Sequence, residues 1–333
     1  MIEIYGTLGP SCSRREILEQ MFREGMTGIR LNLSHTSLEK SAELIGIYQK
    51  AALSCGKKAD LLIDMQGPEL RIGHAEEKDL KCGQTVILAA DGDIPVPSFI
   101  LDEIRKNDHI LLDDGKIELQ IQETGRQKCS ASVIRGGRLK PGKSIKIRER
   151  SISRPVLTNE DILNLASAHE YGVTAVMQPF VRCADDLRKV RSIMNESGAG
   201  DLRLFAKIED MEGAGNIEEI IQEADMVVIA RGDLGNDVPL WHLPYVQKTI
   251  ETACLNASCP FMVVTQMLAS MELNPSPTRA EVSDIFNAAA DGASAVMVTN
   301  ETAAGNYPAE VIRYLSKTAA EGEIFRNSHQ EER

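Results

Sequence analysis

Charged side chains directly follow several short apolar runs of this sequence, at the point where each run ends. Lys207 and Glu209 close one run, and Asp233 follows the next one along the chain. Because Lys207 and Glu209 are two positions apart, an extended strand points both side chains to the same face. Two carboxylates from neighbouring strands can share a hard divalent cation and leave coordination positions for substrate oxygens. The spacing therefore predicts a Mg²⁺ or Mn²⁺ site at Glu209 and Asp233, with Lys207 beside it.

Cationic side chains and a glycine-containing turn occupy comparable positions. Arg30 and Arg71 supply guanidinium forks that can bind a carboxylate or a phosphate. Gly232 precedes Asp233 where the chain leaves a run, and exposed backbone N–H groups at such a turn can hold an anion. Solvated rim arginines, and a structural carboxylate satisfied by Arg231 or by backbone amides, remain alternatives. The set as a whole favours a site that stabilises enolate or phosphoryl charge.

The elements that must position these residues read as strands alternating with helices. Eight short apolar runs alternate with amphipathic helical stretches, a pattern typical of parallel strands with helical crossovers. The runs are residues 2–5, 28–33, 60–64, 173–177, 202–208, 226–230, 260–264 and 293–298. Eight such units predict an α/β fold, a closed TIM (β/α)₈ barrel, whose chemistry lies at the C-terminal ends of its strands.

The interval after the third run is too long for a single crossover. It contains alternating strand patterns separated by turn signals, as expected of a separate β-rich module. We therefore expect residues 1–72 and 156–325 to form the barrel and residues 73–155 to form a small inserted lid domain.

Composition excludes several classes of protein. The formal net charge of −12 over 333 residues argues against a nucleic-acid binder, which needs a basic surface. The sequence has no apolar run of the roughly 18 residues that a membrane span needs, and no signal-peptide pattern. The seven cysteines are scattered without a C-x-x-C motif, which predicts reduced thiols. We expect a cytoplasmic protein with small-molecule partners and no nucleic-acid or membrane partner.

Nine segments carry a resemblance to a known family. They are residues 6–11, 29–35, 64–71, 113–115, 207–209, 230–235, 265–271, 274–284 and 301–308. In these segments the sequence resembles the pyruvate kinase family, in the family's order and across nearly the whole chain, including the insert. The resemblance implies the barrel with its lid, and a chain without the family's C-terminal regulatory domain.

The resemblance also assigns roles at the barrel mouth. It implies that Lys207 stabilises the transferring phosphoryl group and the enolate, that Arg30 contacts the phosphate, and that Thr265 lies on the route of proton delivery. Glu209 and Asp233 match the ligands of Mg²⁺ or Mn²⁺. The groups that match the binding site of the substrate carboxylate are the amides of Gly232 and Asp233 and the hydroxyl of Thr265.

A second cation and the nucleotide follow from the same resemblance. The positions that match the K⁺ ligands are Asn32, Ser34, Asp64 and the carbonyl of Met65. Glu69 matches an acidic position associated with K⁺ dependence. The residues on the nucleotide-phosphate side are His35, Arg71 and Lys143.

The implied activity is a phosphotransferase reaction of glycolysis, between phosphoenolpyruvate and ADP through a metal-bound enolate, giving pyruvate and ATP. Some segments depart from the family's pattern. They are Met65-Gln66, Pro179-Phe180, residues 143–149 and residues 299–302. These departures leave open a metal-dependent lyase or aldolase-like enzyme acting on a 2-oxo acid, or a non-catalytic ligand-binding homologue. If the chain forms a homo-oligomer, we expect contacts at residues 241–255 and in the helix after Pro308.

Overall fold

The computed structural model describes residues 1–34, 36–67, 70–73, 76–113, 115–148 and 155–330. Two of the singled-out residues, His35 and Glu69, lie outside these ranges. The chain forms two compact units. Unit 1 comprises Met1–Gly67, Val156–Leu234 and Leu240–Arg333, and unit 2 comprises Pro68–Pro155 and Gly235–Pro239.

The described part of the chain contains sixteen strands. In chain order they are β1 (Glu3–Thr7), β2 (Gly28–Asn32), β3 (Asp60–Asp64), β4 (Lys78–Leu80), β5 (Thr85–Ala89), β6 (Ile94–Pro95), β7 (His109–Leu112), β8 (Ile117–Gly125), β9 (Lys128–Arg135), β10 (Gly137–Leu139), β11 (Ile145–Ile147), β12 (Ala175–Gln178), β13 (Arg203–Ile208), β14 (Met226–Ala230), β15 (Phe261–Val264) and β16 (Ala295–Met297). The strands β1–β3 and β12–β16 belong to unit 1, and β4–β11 belong to unit 2.

Unit 1 is a closed parallel barrel with the strand order β1-β16-β15-β14-β13-β12-β3-β2. This confirms the predicted (β/α)₈ fold. Each barrel strand overlaps one of the eight predicted apolar runs, with ends that agree within two residues. The strands are apolar almost throughout because helices cover the outside of the barrel while side chains fill its inside.

Helices follow most of the barrel strands. In chain order, the helices of the described residues are α1 (Arg15–Arg23), α2 (Ala42–Ser54), α3 (Ser98–Leu101), α4 (Asn159–Ser167), α5 (Ala184–Glu196), α6 (Met211–Gly215), α7 (Ile217–Ile220), α8 (Arg231–Asp237), α9 (Leu243–Asn256), α10 (Arg279–Ala290), α11 (Asn300–Ala303) and α12 (Pro308–Gln330). Helix α3 belongs to unit 2. Thr158 and Thr278 start α4 and α10 with complete capping boxes. Within the described ranges, the structure contains no helix with the length and apolar character needed to cross a bilayer.

The inside of the barrel changes from apolar to charged along its length. Its apolar layer is built from Tyr5, Leu62, Ala175, Met177, Phe205, Met226, Val228, Ala230, Met262, Val264, Ala295 and Met297. Side chains two positions apart on a strand share a face, so Asp64 continues the inward face of Leu62 and Lys207 that of Phe205. The same alternation that fills the barrel thus delivers charged groups to its C-terminal end.

A separate polar network occupies the N-terminal end of the barrel. Arg203 Nη2 lies 3.0 Å from Asp60 Oδ2, and the Tyr5 hydroxyl donates to the same carboxylate. Burial, followed by the charge of Asp60, raises the pKa of the Tyr5 hydroxyl. Tyr5 therefore remains a neutral donor and a structural part of the barrel floor, at the end where TIM barrels carry stability rather than chemistry.

Unit 2 is the β-rich module expected after the third barrel strand. It contains a six-stranded sheet of order β11-β7-β8-β9-β5-β6 and a two-stranded sheet β10-β4. Its pairings are antiparallel except for β5 with β6. The unit has its own buried core, which includes Val86, Leu88, Leu119 and Val133. The predicted lid segment 73–155 falls within this unit.

The loop after β3 is fixed by one buried carboxylate. Asp161 is fully buried and accepts hydrogen bonds from the amides of Gln66 at 2.8 Å and Gly67 at 3.0 Å. It also completes the capping box of Thr158. A buried amide that loses its acceptor keeps its full desolvation cost. Asp161 therefore holds the end of β3, which carries Asp64, in one conformation.

We predict that Asp161→Ala lowers the free energy of unfolding by about 2–4 kcal/mol, because it leaves buried amides without an acceptor. Urea denaturation followed by circular dichroism measures this change. The matched control is Glu160→Ala at the adjacent exposed position, which should change stability by less than about 0.5 kcal/mol. An equal effect of the two substitutions would contradict the anchoring role of Asp161.

Candidate active site

Two cations and two carboxylates meet at the C-terminal end of the barrel strands. Lys207 Nζ lies 2.9 Å from Glu209 Oε1 and 3.3 Å from Asp64 Oδ2. Arg30 Nη2 lies 2.6 Å from Asp64 Oδ2, and its Nε donates to the same oxygen at 2.9 Å. We call these four residues the ion cluster. Its two positive and two negative side chains balance, which is what allows them to be buried together.

Three strands of the barrel, β2, β3 and β13, deliver the cluster. Arg30 lies in β2 opposite Leu62 of β3, and Asp64 ends β3. Arg30 also reaches towards β1, where its Nη1 lies 3.4 Å from the Thr7 hydroxyl. Lys207 comes from β13 and therefore reaches Asp64 across β12, which lies between β13 and β3. The cluster can form only because the barrel closes these strands around a common interior.

Burial and charge act in opposite directions on the cluster. Burial alone lowers the pKa of Lys207, but the charges of Asp64 and Glu209 outweigh it and hold that pKa above its usual value. Burial alone raises the pKa of Asp64, but Lys207 and then Arg30 outweigh it and hold that pKa below its usual value. Both residues are consequently charged at neutral pH.

Glu209 has a further partner that the sequence did not reveal. Its Oε2 accepts a hydrogen bond from the Phe180 amide at 2.8 Å. Phe180 lies just after β12 with a φ of 52°, a left-handed conformation that is uncommon for an aromatic residue. Glu209 is only 2% exposed, so this contact fixes the direction of a buried carboxylate. Only the three-dimensional proximity of β12 and β13 shows the pairing.

Arg231 ties the ends of two strands to a helix. Its guanidinium contacts Asp284 of α10, with Nη2 2.7 Å from Oδ2 and Nη1 2.8 Å from Oδ1. Nη2 also donates to the carbonyl of Thr265 at 2.8 Å, and Nε donates to the carbonyl of Val264 at 3.3 Å. The alternative in which Arg231 neutralises Glu209 is therefore not supported, because Arg231 pairs with Asp284 and Glu209 pairs with Lys207.

Thr265 occupies a strained turn next to this arginine. Its φ is 76°, which is unusual for a β-branched residue and is a kind of strain found at functional sites. A Cβ added to Gly232 would lie 3.0 Å from Thr265 Cγ2, so the Gly232 backbone approaches this side chain closely. Thr265 and Gly232, which are predicted to hold the substrate carboxylate, are thus neighbours.

Asp233 lies in the first turn of α8, two residues after Arg231, and is half-buried. Among the described residues, no group of three or more His, Cys, Asp and Glu side chains is arranged to hold a metal ion. A cation at this place would depend on Glu209 and Asp233 with water and substrate oxygens. That donor set suits Mg²⁺, which proteins often bind through one or two carboxylates and a substrate phosphate.

The residues predicted to bind K⁺ follow β2 and β3. The Asn32 side chain accepts a hydrogen bond from the Ser34 amide at 3.1 Å. Asn32 and Asp64 are register partners on adjacent strands, and Met65 is buried next to Asp64. Amide, hydroxyl, carboxylate and carbonyl oxygens are a donor set for a hard cation. The K⁺ site itself stays a prediction.

The described residues predicted to bind nucleotide lie in unit 2. Arg71 Nη1 donates to the carbonyl of Gly142 at 2.9 Å, and Lys143 Nζ lies 2.7 Å from Asp113 Oδ1. The Ile72 amide donates to the Lys143 carbonyl at 2.9 Å, so the backbones at positions 71 and 143 are close. Asp113, whose role as the partner of Lys143 the sequence did not show, holds this ammonium in place.

Comparisons with known proteins identify the family of this chain. The family model described as pyruvate kinase, barrel domain, matches residues 1–312. The chain belongs to the pyruvate kinase family. The relatives named pyruvate kinase include proteins of Bacillus licheniformis, 35% identical over 96% of this chain and 57% of the relative, and of Dictyostelium discoideum, 34% identical over 98% and 67%. A third, from Aeropyrum pernix, is 36% identical over 96% of this chain and 70% of the relative.

The match covers nearly all of this chain but only part of these pyruvate kinases. The chain spans 57% of the length of the Bacillus licheniformis protein. The shared part includes the barrel and every residue of the ion cluster. Family membership therefore rests on the portion of pyruvate kinase that carries the mouth of the barrel.

Pro179, one of the departures from the pyruvate kinase pattern, lies against the loop after β3. A Cβ added to Gly67 would lie 2.3 Å from Pro179 Cγ, so the loop after β3 packs directly on Pro179. Gly67 has a φ of 58°, a second reason why this position requires glycine. Pro179 thus makes a tight contact with this loop, while the Gln66 amide donates a hydrogen bond to Asp161.

We predict that Arg231→Lys lowers the free energy of unfolding by about 1.5–3 kcal/mol, because an ammonium group cannot reproduce the fork that contacts Asp284 and two carbonyls. The matched control is Arg313→Lys, whose arginine is 39% exposed and pairs with Glu310 on the surface of α12. It should change stability by less than about 0.5 kcal/mol. Equal unfolding midpoints for the two variants in urea would contradict this structural role of Arg231.

Proposed function

We propose that this chain is a phosphotransferase that moves the phosphoryl group of phosphoenolpyruvate to ADP and yields ATP and pyruvate. The observation that carries the proposal is the Lys207 ammonium, which is only 14% exposed and lies between Asp64 and Glu209 at the mouth of a pyruvate kinase family barrel. Phosphoryl transfer needs little covalent chemistry from a protein and depends on positioning and charge neutralisation. A fixed, desolvated cation meets that need.

In this proposal the Arg30 and Lys207 side chains of the ion cluster bind the phosphoryl group of the substrate. The Arg30 fork, which is only 12% exposed, binds phosphate oxygens and fixes their direction. Lys207 neutralises charge on the transferring group and on the oxygen that becomes the enolate when the phosphorus–oxygen bond breaks. Because Asp64 already balances part of this positive charge, the side chains are held in place before the substrate arrives.

The raised pKa of Lys207 restricts its role. An ammonium group that stays protonated at neutral pH stabilises an anion but does not act as a general base. The proton for the enolate carbon is therefore assigned to a route through the Thr265 hydroxyl. In the same proposal, the amides of Gly232 and Asp233 hold the substrate carboxylate.

The proposal also requires a divalent cation and K⁺ at the barrel mouth. Glu209 and Asp233 would hold Mg²⁺ or Mn²⁺, which supplies positive charge to phosphate and enolate oxygens when bound. Asn32, Ser34, Asp64 and the Met65 carbonyl would hold K⁺. The nucleotide phosphates are assigned to Arg71 and Lys143, together with His35, which lies outside the described residues.

We expect the chain, supplied with phosphoenolpyruvate, ADP, Mg²⁺ and K⁺, to form pyruvate and ATP in equal amounts. Chelation by EDTA should abolish turnover, since the phosphate and enolate charges then lose their divalent partner. Pyruvate is followed with lactate dehydrogenase and ATP with luciferase. Turnover of 2-oxo acids without ATP formation under any metal would replace the proposal with the lyase or aldolase-like alternative, and binding without turnover would favour a non-catalytic homologue.

We expect Lys207→Met to lower kcat by at least about 10²-fold, because it removes the desolvated cation at the site of developing charge. Mn²⁺ binding, measured by the electron paramagnetic resonance of free Mn²⁺, should be retained, since Glu209 and Asp233 are unchanged. Lys189→Met is the control, because Lys189 is 59% exposed and pairs with Asp185 on α5. If Lys207→Met kept full activity, this site assignment would be wrong.

A further inference from the structure

Two cysteines meet where α9 ends, at the opposite end of β15 from Thr265. The Cys259 amide donates to the Cys254 carbonyl at 2.9 Å, and the Ser258 amide donates to the Leu255 carbonyl at 3.1 Å. Ser258 has a φ of 55°. These features define a Schellman motif, with serine at the left-handed position that glycine usually occupies. In this motif the side chains at the positions of Cys254 and Cys259 commonly contact each other.

The backbone geometry brings the two residues within reach of a disulfide. One hydrogen bond of 2.9 Å joins their backbones, which keeps their Cα atoms no more than about 7 Å apart. Disulfides join Cα atoms at separations of up to about that distance. A bridge therefore needs rotation of the side chains and little movement of the backbone.

The two thiols differ in access and in acidity. Cys254 is buried, whereas Cys259 is half-buried. Interaction with Cys254 lowers the pKa of Cys259, while interaction with Cys259 and burial raise the pKa of Cys254. A thiolate that solvent can reach is the form that reacts with oxidants. The structure thus separates an attacking thiol at Cys259 from a protected thiol at Cys254.

We propose that Cys254 and Cys259 are a reversible oxidation site that closes to an intramolecular disulfide on reaction with a peroxide. In the first step the Cys259 thiolate attacks one peroxide oxygen, the O–O bond breaks, and Cys259 becomes a sulfenic acid as hydroxide leaves. In the second step Cys254 sulfur attacks Cys259 sulfur, and the sulfenic oxygen leaves as water with the Cys254 proton. Two thiol sulfurs are each oxidised by one electron, and the peroxide is reduced to two waters.

Peptide mass spectrometry after oxidation of the full chain tests this directly. The protein is treated with an equimolar amount of hydrogen peroxide, unfolded in the presence of N-ethylmaleimide and digested with trypsin. Cleavage after Lys248 and Arg279 releases residues 249–279 as one peptide with both cysteines. We expect most of this peptide to carry no maleimide and to be lighter than its reduced form by two hydrogen atoms. Dithiothreitol before labelling should restore two maleimides.

Matched variants identify the pair. In Cys259→Ser, Cys254 should remain fully labelled after peroxide. Cys82→Ser, which removes the exposed cysteine of unit 2, should leave disulfide formation unchanged. The proposal fails if peroxide leaves both cysteines labelled, or if Cys259 accumulates as sulfinic acid while Cys254 still takes up maleimide.

Discussion

The ion cluster places two positive and two negative side chains in one largely buried space: Arg30, Lys207, Asp64 and Glu209. The desolvation cost of each charge is offset only because the opposite charges are present. Taking a single ion out of water costs several kcal/mol, so removing one member leaves an uncompensated charge rather than an inert gap. This balance constrains the barrel around it, because strands from three parts of the sequence must end at the same depth. It also means that the site is electrostatically organised without a ligand.

Around this cluster, the loops that follow the strands are held by polar anchors rather than by apolar packing alone. Asp161 binds the chain after β3, the Phe180 amide binds Glu209, and Arg231 joins Thr265 to Asp284 of α10. Such anchors restrict the reacting groups to a narrow range of positions, as transition-state stabilisation requires. They also allow Thr265 to keep a backbone conformation that an isolated turn would avoid.

Much of this arrangement could be read from the sequence, and the remainder depends on the closed fold. The strands were predictable because buried parallel strands are continuous apolar runs. Lys207 and Glu209 were predicted to lie on the same face because side chains on a strand alternate with a period of two residues. The partnership of Arg231 with Asp284 joins residues far apart in the chain, and no local spacing marks it. The same holds for Phe180 with Glu209 and for Lys143 with Asp113. Pairings of this kind become visible only when the barrel brings separate strand ends together.

The inward alternation along β13 has a consequence for how this chain can vary. Phe205, Lys207 and Glu209 share a face, and Ile208 occupies the other. Adding or deleting one residue within β13 would turn Ile208 inward and expel the ammonium, whereas a substitution changes only one side chain. The connecting loops and the insert tolerate changes in length better than β13 does. The number of residues in β13 is therefore fixed by the need to keep Lys207 and Glu209 facing the inside of the barrel.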